Sequence, residues 1–431
     1  MKRNHIACML ALTCMVGALS GCTKEAATPM AIRYQKEAVY PEGIAADDYE
    51  KQRKNQEENE LNEEFIESLA QFSYKTGTKI LSGQEGNAVY SPVSLYMALA
   101  AAAAGTDEET KNEMYGLLEI SGKDKEYLLD QTGKLYRLLY SDNEAGMLRI
   151  ANALWIQDGF PVSEKYVNEL TKKLYASIFQ VDFTDELTKD IMSDWVYKAT
   201  KELIKPEITI TPNQVMTIMN TIYFSDIWKD KFDKENTKED TFTLEDGTTV
   251  SCDFMNQYFY NHEYREGDGF ASTYLRFVNN GSMLFILPDE GTDLNSLLSD
   301  PEKMKDMLDL SKFHNAEIDF KMPKFDNSSS IDLKAALQGL GMKDAFSKNA
   351  DFSGISNEPL FISAIKQDAR FIADEEGVKA AAYTEISFET TGALVEGTKV
   401  NFHLNRPFIY AVVSDDGTVI FMGVCKNPTK L

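Results

Sequence analysis

The chain has 431 residues, 43% of them hydrophobic and 26% charged, so it is long enough to bury a large core. Its formal net charge of -24 argues against nucleic acid and anionic lipid headgroups as main partners. Of the five cysteines, only Cys252 and Cys425 lie outside the first 22 residues. This count excludes a disulfide framework and leaves open whether the two are bonded.

The N-terminus carries a targeting signal. Lys2 and Arg3 precede an apolar run over residues 6–19, which suits a secretory signal and is too short for an ordinary membrane span. The following Leu19-Ser20-Gly21-Cys22 resembles a bacterial lipobox. We therefore predict a signal peptide over 1–21, lipid on Cys22 and a polar, disordered tether over 22–60. The expected location is the bacterial cell envelope, on the outer membrane, surface or periplasmic face, with extracellular release as an alternative.

Folded structure is predicted to begin near Leu61, where apolar residues follow helical spacing. Ser91 and Pro92 predict the start of an alanine-rich helix that ends near Ala104. Thr106 with Glu109 predicts a capping box for the next helix. Further helices are predicted at 165–177, 195–204 and 331–340. Strands are predicted at 148–155, 181–183, 215–224, 241–260, 273–288, 316–325, 408–413 and 419–424.

Two hairpins are indicated by Asp246-Gly247 and Asp416-Gly417. Helices dominate early and strands late, which favours an α+β fold. Because 61–431 contains no internal repeat and no Pro/Gly-rich linker, one domain is the simpler interpretation.

Residues 375–391 read EEGVKAAAYTEISFETT and alternate like a strand. One face would carry Val378, Ala380, Ala382, Thr384, Ile386, Phe388 and Thr390. The other would carry Lys379, Tyr383, Glu385, Ser387 and Glu389. No proline lies between Pro359 and Pro407, so the segment could pair on both sides. An ordinary amphipathic strand remains the alternative on this pattern alone.

Motifs for catalysis or metal binding are lacking. His262, His314 and His403 belong to no HExxH pair, and the sequence contains no C-x-x-C, G-x-S-x-G or Gly-rich phosphate loop. No cofactor is therefore expected, and a hydrolase is the least supported function.

The C-terminal part contains Phe402-His403-Leu404-Asn405-Arg406-Pro407-Phe408 and then Ile420-Phe421-Met422-Gly423. Characteristic segments precede it at 87–94, 220–224, 322–324 and 340–354. In this order, over residues 61–431, they resemble the serpin family, inhibitors of serine and some cysteine proteases. The resemblance implies a serpin fold of three β-sheets and about nine helices, with an exposed reactive-centre loop.

The resemblance also implies a metastable protein and a mechanism. A protease would attack the loop as substrate and form an acyl-enzyme, and the cut loop would then insert as a new strand in the largest sheet. The implied hinge comprises Glu375, Glu376, Gly377, Val378, Lys379, Ala380, Ala381 and Ala382. Glu375 would pair with Lys324 beside Trp228, a place called the breach.

Ser91, Ser94 and Asn220 match the family's shutter beneath the sheet. The histidine that is usual there is replaced by Gln367, so a pH sensitivity from that histidine should be absent. Lys379 and Tyr383 also depart from the small or acidic residues common at their positions. Both are expected to face solvent after insertion.

Counting from the hinge places the scissile bond at Thr391-Gly392, whereas counting back from Pro407 reaches Glu396. Neighbouring bonds after Thr390, Ala393 or Leu394 remain possible. Since residues 383–397 contain no Lys or Arg, we expect an elastase-like or subtilisin-like target, with a papain-like cysteine protease as the next choice.

The sequence thus predicts a monomeric, non-enzymatic suicide inhibitor of serine proteases that protects a bacterial cell from proteolysis and is held at a membrane by its N-terminal lipid. The alternative is a serpin-fold protein that binds or carries a ligand and no longer inhibits. Charge or proline on the core-facing hinge positions would favour that alternative, and here those positions are Val, Ala, Ala and Thr.

Overall fold

The computed structural model describes residues 32–279, 281–378 and 398–430. Within them lie ten α-helices and seventeen strands. The helices are α1 Tyr49–Glu58, α2 Glu63–Leu81, α3 Pro92–Ala103, α4 Glu108–Leu117, α5 Lys125–Leu139, α6 Glu164–Lys173, α7 Leu187–Ala199, α8 Leu294–Leu297, α9 Pro301–Met307 and α10 Lys334–Gly339.

The strands come mainly from the second half of the chain, as the α+β prediction requires. They are β1 Ile32–Lys36, β2 Ala88–Tyr90, β3 Ser141–Asp142, β4 Gly146–Gln157, β5 Ala176–Val181, β6 Met216–Ile227, β7 Lys238–Thr243, β8 Thr249–Gly267, β9 Phe270–Arg276, β10 Ser282–Pro288, β11 His314–Pro323, β12 Phe325–Asp332, β13 Ile362–Ala373, β14 Gly377–Val378, β15 Lys399–His403, β16 Phe408–Val413 and β17 Val419–Cys425.

Two hydrogen-bonded sheets organise the described residues. The eight-stranded sheet has the order β1-β5-β4-β6-β14-β13-β12, with β3 paired to β4. The nine-stranded sheet has the order β15-β11-β8-β9-β10-β16-β17-β2, with β7 paired to β8. The family resemblance implies three sheets, and two of them are joined in this structure. The 19-residue strand β8 pairs with β7 and β11 and continues to pair with β9, so two groups of strands stay joined.

Helix α3 lies against both sheets and fixes one face of the larger core. Ser91 caps it by accepting a hydrogen bond from the Ser94 N–H, and Pro92 occupies the first turn, as predicted. All of its residues are buried. The capping box predicted for the next helix is wrong. Asp107 caps α4 through Glu108, while the Thr106 hydroxyl donates to the Ala103 carbonyl.

The eight-stranded sheet has two distinct faces. Helix α7 packs on one side, where Met219 joins a small apolar cluster with Met192 and Val196 on the helix. We call this side the front face. On the opposite back face, the side chain of Asn220 reaches the backbone of α3 at Ser94. Because successive residues of a strand point to opposite faces, this pair fixes the orientation of all of β6.

The N-terminal segment differs from its prediction. Residues 32–58 are not a disordered tether, because β1 pairs antiparallel with β5 and α1 follows it. Tyr40 stacks on Tyr136, and the Arg149 guanidinium lies 4.0 Å from the centroid of the Tyr40 ring. A few aromatic and backbone contacts therefore suffice to order a polar segment. Residues 1–31, with the signal peptide and Cys22, lie outside the described residues.

Two predicted helices are shorter in the structure because part of each predicted segment belongs to a strand instead. The helix predicted over 331–340 is reduced to α10, because residues up to Asp332 pair with β13 as part of β12. The helix predicted over 165–177 ends at Lys173, and β5 begins at Ala176. Both predicted hairpins are confirmed, with Gly247 and Gly417 at positive φ. Among the described residues, no helix has the length and apolarity needed to cross a membrane.

Candidate functional site

A tight turn between β13 and β14 forms the described part of the predicted hinge. The Asp374 N–H donates to the Gly377 carbonyl at 3.0 Å, and the Gly377 N–H donates back at 3.3 Å. A Cβ at Gly377 would overlap the carbonyl oxygen of Asp226 on β6. Only glycine fits against β6 at this position.

The two residues of β14 lie between β6 and β13. Gly377 pairs with Ile227 and Val378 with Asp226, while Ala373 pairs with Val378 from the other side. The Val378 side chain is 1% exposed and joins the main core. The first core-facing residue of the predicted loop is therefore already seated in the sheet.

Below β14, the strands β6 and β13 pair directly with each other. Their parallel ladder runs from the Ile362 and Met216 pair to the Asp368 and Thr221 pair. A longer β14 would have to separate this ladder. The direct pairing between β6 and β13 is thus the seam through which a strand could be added.

Glu375 is held at the top of this seam. Its carboxylate lies 3.0 Å from the Lys324 ammonium and accepts a 2.9 Å hydrogen bond from the Thr237 hydroxyl. Burial alone would raise the pKa of Glu375, but the hydrogen bonds from the backbone, Lys324 and Thr237 outweigh it and the pKa is lowered. The predicted contact between Glu375 and Lys324 is present.

Trp228 clamps the backbone of the same turn. Its indole N–H donates to the Asp374 carbonyl at 2.8 Å, and its backbone N–H donates to the Glu376 carbonyl at 3.0 Å. The ring stacks on Phe277 with a centroid distance of 4.7 Å and is fully buried. Trp228 therefore fixes where the loop leaves β13.

A second ion cluster at the hinge was not predicted. The Glu376 carboxylate lies 2.8 Å from Lys234 and 2.9 Å from Lys231, whose hydrogen bonds lower its pKa. The sequence signal was the lysine-rich run that follows Trp228. Without the fold, nothing linked that run to a carboxylate about 140 residues away.

The four residues predicted as the shutter meet on the back face of the sheet, where Gln367 and Asn220 form one of the pairs of the seam. The Gln367 amide donates to the Ser91 carbonyl at 2.9 Å and to Asn220 Oδ1 at 2.8 Å, and it accepts from the Ser91 N–H at 2.8 Å. The Asn220 amide donates to Ser94 Oγ at 2.6 Å, and the Ser91 hydroxyl donates to the Ile420 carbonyl. Gln367 on β13 thus links the seam to Asn220 of β6 and to Ser91 at the start of α3 without an ionisable group.

Other candidate groups are separate from this site. His262 contacts the Tyr274 carbonyl and His403 contacts Asp319. Cys252 and Cys425 are unbonded; burial raises the pKa of Cys252 to about 11 and that of Cys425 well above its usual value. In the described ranges, no three metal-ligating side chains cluster.

The rest of the predicted loop lies outside the described residues. This applies to Lys379, Ala380, Ala381 and Ala382 of the hinge and to the predicted bond Thr391-Gly392. After the gap, the Glu317 N–H donates to the Thr398 carbonyl, and β15 pairs parallel with β11. The loop ends are thereby fixed on the two different sheets.

Comparison with known proteins gives a consistent result. The family model described as Serpin (serine protease inhibitor) matches residues 67–428. The chain is 29% identical to Serpin B3 of Homo sapiens over 388 residues, which cover 84% of this chain and 99% of that protein. It is 27% identical to an uncharacterized serpin-like protein of Methanosarcina mazei over 447 residues, covering 98% and 97%.

Solved structures agree in fold. The thermophilic serpin tengpin, in its native state, superposes with a TM-score of 0.77 at 27% identity and covers 91% of this chain and 97% of that one. Thyroxine-binding globulin in complex with thyroxine gives a TM-score of 0.73 at 24% identity, with coverage of 85% and 99%. At that identity the second likeness concerns the fold alone.

Proposed function

The chain belongs to the serpin family, and on that premise we propose that it is a suicide inhibitor of serine proteases rather than an enzyme. The observation that carries the proposal is the seating of Val378 between β6 and β13, at the head of a seam that the following residues could fill. The serine hydroxyl of a protease would attack the carbonyl carbon of Thr391, an ester would form, and the amine of Gly392 would leave. Insertion of the cut loop would then trap the ester.

Insertion is favoured by what a central strand gains. Each ladder hydrogen bond contributes on the order of 1 kcal/mol net. Each large apolar side chain moved from water into the core contributes roughly 1.5–3 kcal/mol. Ile386 and Phe388 would enter on the same face as Val378. The uncut protein is therefore metastable in this proposal, and insertion is effectively irreversible.

The test is to mix the purified chain with an elastase-like protease and analyse the products on denaturing gels and by mass spectrometry. We expect a stable covalent complex and a released peptide that begins at Gly392. A matched pair of variants adds a control. Ala380→Glu places a charge on the core-facing side and should turn the protein into a substrate, whereas Ala381→Glu faces outward and should still form the complex.

If the wild-type protein is cleaved and no complex forms, the unfolding midpoint before and after cleavage distinguishes an inhibitor from a carrier protein. A large rise in the unfolding midpoint on cleavage indicates insertion, so the protease tested was not the target. An unchanged midpoint would refute loop insertion and favour the runner-up, a non-inhibitory binding or carrier protein.

The target class rests on the loop sequence. Small and aliphatic residues around position 391 suit elastase-like or subtilisin-like proteases, and a papain-like cysteine protease is the next choice. Rapid inhibition of trypsin with cleavage at Lys379 or Lys399 would contradict this assignment.

We also propose that the protein acts as a monomer anchored to a bacterial membrane through lipid on Cys22. Support comes from the lipobox-like Leu19-Ser20-Gly21-Cys22. Growth with a radioactive fatty acid should label the wild-type protein and not a Cys22→Ala variant. Equal labelling of both would contradict the anchor.

A further inference from the structure

Arg370 lies on the front face of β13, near the end of the seam at which β14 enters. The ladder between β6 and β13 ends at the pair of Thr221 and Asp368, and Arg370 lies two residues beyond this pair, towards β14. Gln367 points to the back face, where it bonds Asn220, so Arg370, three residues further on, points to the front. Its side chain is therefore placed where the seam would first widen if β14 became longer.

The guanidinium group of Arg370 makes contacts in two directions. Its Nε and Nη2 donate to the carboxylate of Asp326 on the neighbouring strand β12, at 2.8 and 2.5 Å. Its Nη1 donates to the carbonyl of Leu203 at 3.2 Å. Leu203 belongs to residues 200–215, the connecting segment between α7 and β6. One side chain thus joins two strands of the sheet to a segment that lies in front of them.

The connecting segment is attached to the other half of the sheet. The Ser193 hydroxyl of α7 donates to the carbonyl of Pro206 in this segment at 2.6 Å. Three isoleucines of the segment pack against an apolar cluster that is built on α7, β4, β5 and β6, and they are Ile204, Ile208 and Ile210. The bond from Arg370 to Leu203 therefore crosses the front of the seam, from the half that contains β13 to the half that contains β6.

The turn that presents the Leu203 carbonyl is constrained. Lys201 and Glu202 have positive φ angles of 49° and 66°, a conformation that residues other than glycine rarely adopt. Two hydrogen bonds to Thr200 close the turn. The Leu203 N–H donates to the Thr200 carbonyl at 3.0 Å, and the Ile204 N–H donates to its hydroxyl at 3.1 Å. A turn held in this way has little freedom to follow β13 if the two halves separate.

Widening of the seam would break this bond and spare the ion pair. An inserted strand would separate β6 from β13 by one further strand spacing of about 4.8 Å. The hydrogen bond of 3.2 Å from Arg370 to Leu203 cannot span that displacement. The pair of Arg370 and Asp326 lies within the half in which β12 and β13 stay paired, so it can persist. The two contacts of one guanidinium group therefore respond differently to insertion.

Building on the proposed loop insertion, we propose that the bond from Arg370 to Leu203 is a latch that holds the front of the seam closed and limits the rate at which the cut loop enters. Asp326 orients the guanidinium group. Gln367 joins the same two strands from the back face through Asn220, so the closed seam is held from both sides. Arg370 is a positioning residue that acts on the seam and not on the protease.

Hydrogen exchange of the uncut protein tests the latch without any protease. Arg370→Met keeps an apolar stem and removes the bond, so amides in the ladder between β6 and β13 should exchange about 3- to 10-fold faster. Amides in the ladder between β10 and β16 should exchange as in wild type. Unchanged exchange at the seam, or equal acceleration in both ladders, would overturn the latch.

Two control variants separate the crossing bond from ion pairing in general. Asp326→Asn removes a charge but leaves Arg370 its bond to Leu203, so exchange at the seam should stay close to that of wild type. Arg265→Met removes an arginine that bonds both the carboxylate and the carbonyl of Asp306, away from the seam, and should leave the seam unchanged. If Asp326→Asn opens the seam as much as Arg370→Met, the ion pair is responsible and the latch is wrong.

The rate of insertion supplies a second measurement. Once the loop is cut, the rise of the unfolding midpoint in guanidinium marks insertion, and Arg370→Met should complete this rise about 3- to 10-fold sooner than wild type. Equal rates would overturn the latch and leave the proposed function intact. A wild-type midpoint that does not rise on cleavage would refute the proposed function, whereas exchange at the seam of the uncut protein would still show whether the latch holds it closed.

Discussion

Replacing Gln367 by leucine should weaken the uncut protein more than the loop-inserted one. In the uncut protein, the Gln367 amide connects Ser91 beneath the sheet to Asn220 across the seam. Insertion of a strand between β6 and β13 adds one strand spacing of about 4.8 Å, so the bond from Gln367 to Asn220 cannot survive it. The bonds from Gln367 to Ser91 cross no seam and can persist.

The magnitude follows from the groups left without partners. The Ser91 carbonyl keeps a hydrogen bond from the Leu95 N–H, so Gln367→Leu leaves the Ser91 N–H and Asn220 Oδ1 unsatisfied. At about 1–3 kcal/mol for each of the two buried groups, the uncut protein should lose about 2–6 kcal/mol of unfolding free energy. In the cleaved protein the bond from Gln367 to Asn220 is already broken. The substitution should therefore cost only the unsatisfied Ser91 N–H, about 1–3 kcal/mol of unfolding free energy.

Guanidinium unfolding of the uncut and cleaved forms measures both losses. Gln131→Leu is the matched control, because Gln131 is a buried glutamine that accepts from the Asn62 N–H away from the seam. Its loss should be equal in the two forms. An equal loss for Gln367→Leu would refute the idea that this side chain holds the seam closed.

Three further outcomes follow. Because hydrogen bonds hold the pKa of Glu375 below its unfolded value near 4.5, the stability that Glu375 adds is complete above that pH and is lost as pH falls through the folded pKa. Lys324→Met should raise the pH of that loss in an acid titration followed by fluorescence, and Glu375→Gln should abolish it. Gly377→Val should expel the turn from β6 and speed proteolysis of the hinge, whereas unchanged digestion would contradict the overlap with the strand. Tyr40→Ala should lower the melting temperature more than Tyr34→Ala, whose ring is exposed.

Local chemistry explains what the sequence could predict. Ser91 and Pro92 mark the start of α3 because capping needs only neighbouring residues. The alternation predicted that Val378 faces the core, since a strand repeats every two residues, and Val378 is buried there; the other predicted core-facing positions lie outside the described residues. The continuous apolar run of β6 likewise indicated burial on both faces. Family motifs then placed Lys324 beside Glu375.

The remaining features depend on contacts between distant segments. Glu376 meets Lys231 and Lys234 only because β13 and β6 end at the same edge of the sheet. The sequence analysis missed the folded part of the N-terminal segment. Composition indicates whether a segment can form a hydrophobic core of its own, but it does not reveal that the segment can pair with the edge strand of a sheet formed by the rest of the chain. Tyr40 finds its stacking partners from α5 and the residue that follows it, so its own segment carries no periodic signal.

The direction of β1 determines how the molecule would be oriented if it were anchored to a membrane. Ile32 pairs with Val181, which lies beside Gln157 at the end of the sheet farthest from Val378. Ten residues separate Ile32 from Cys22, a reach of at most about 35 Å. A lipid on Cys22 would therefore hold the far end of the sheet near the bilayer and turn the reactive loop outward. Insertion down the seam would then draw a captured protease towards the membrane and away from its other substrates.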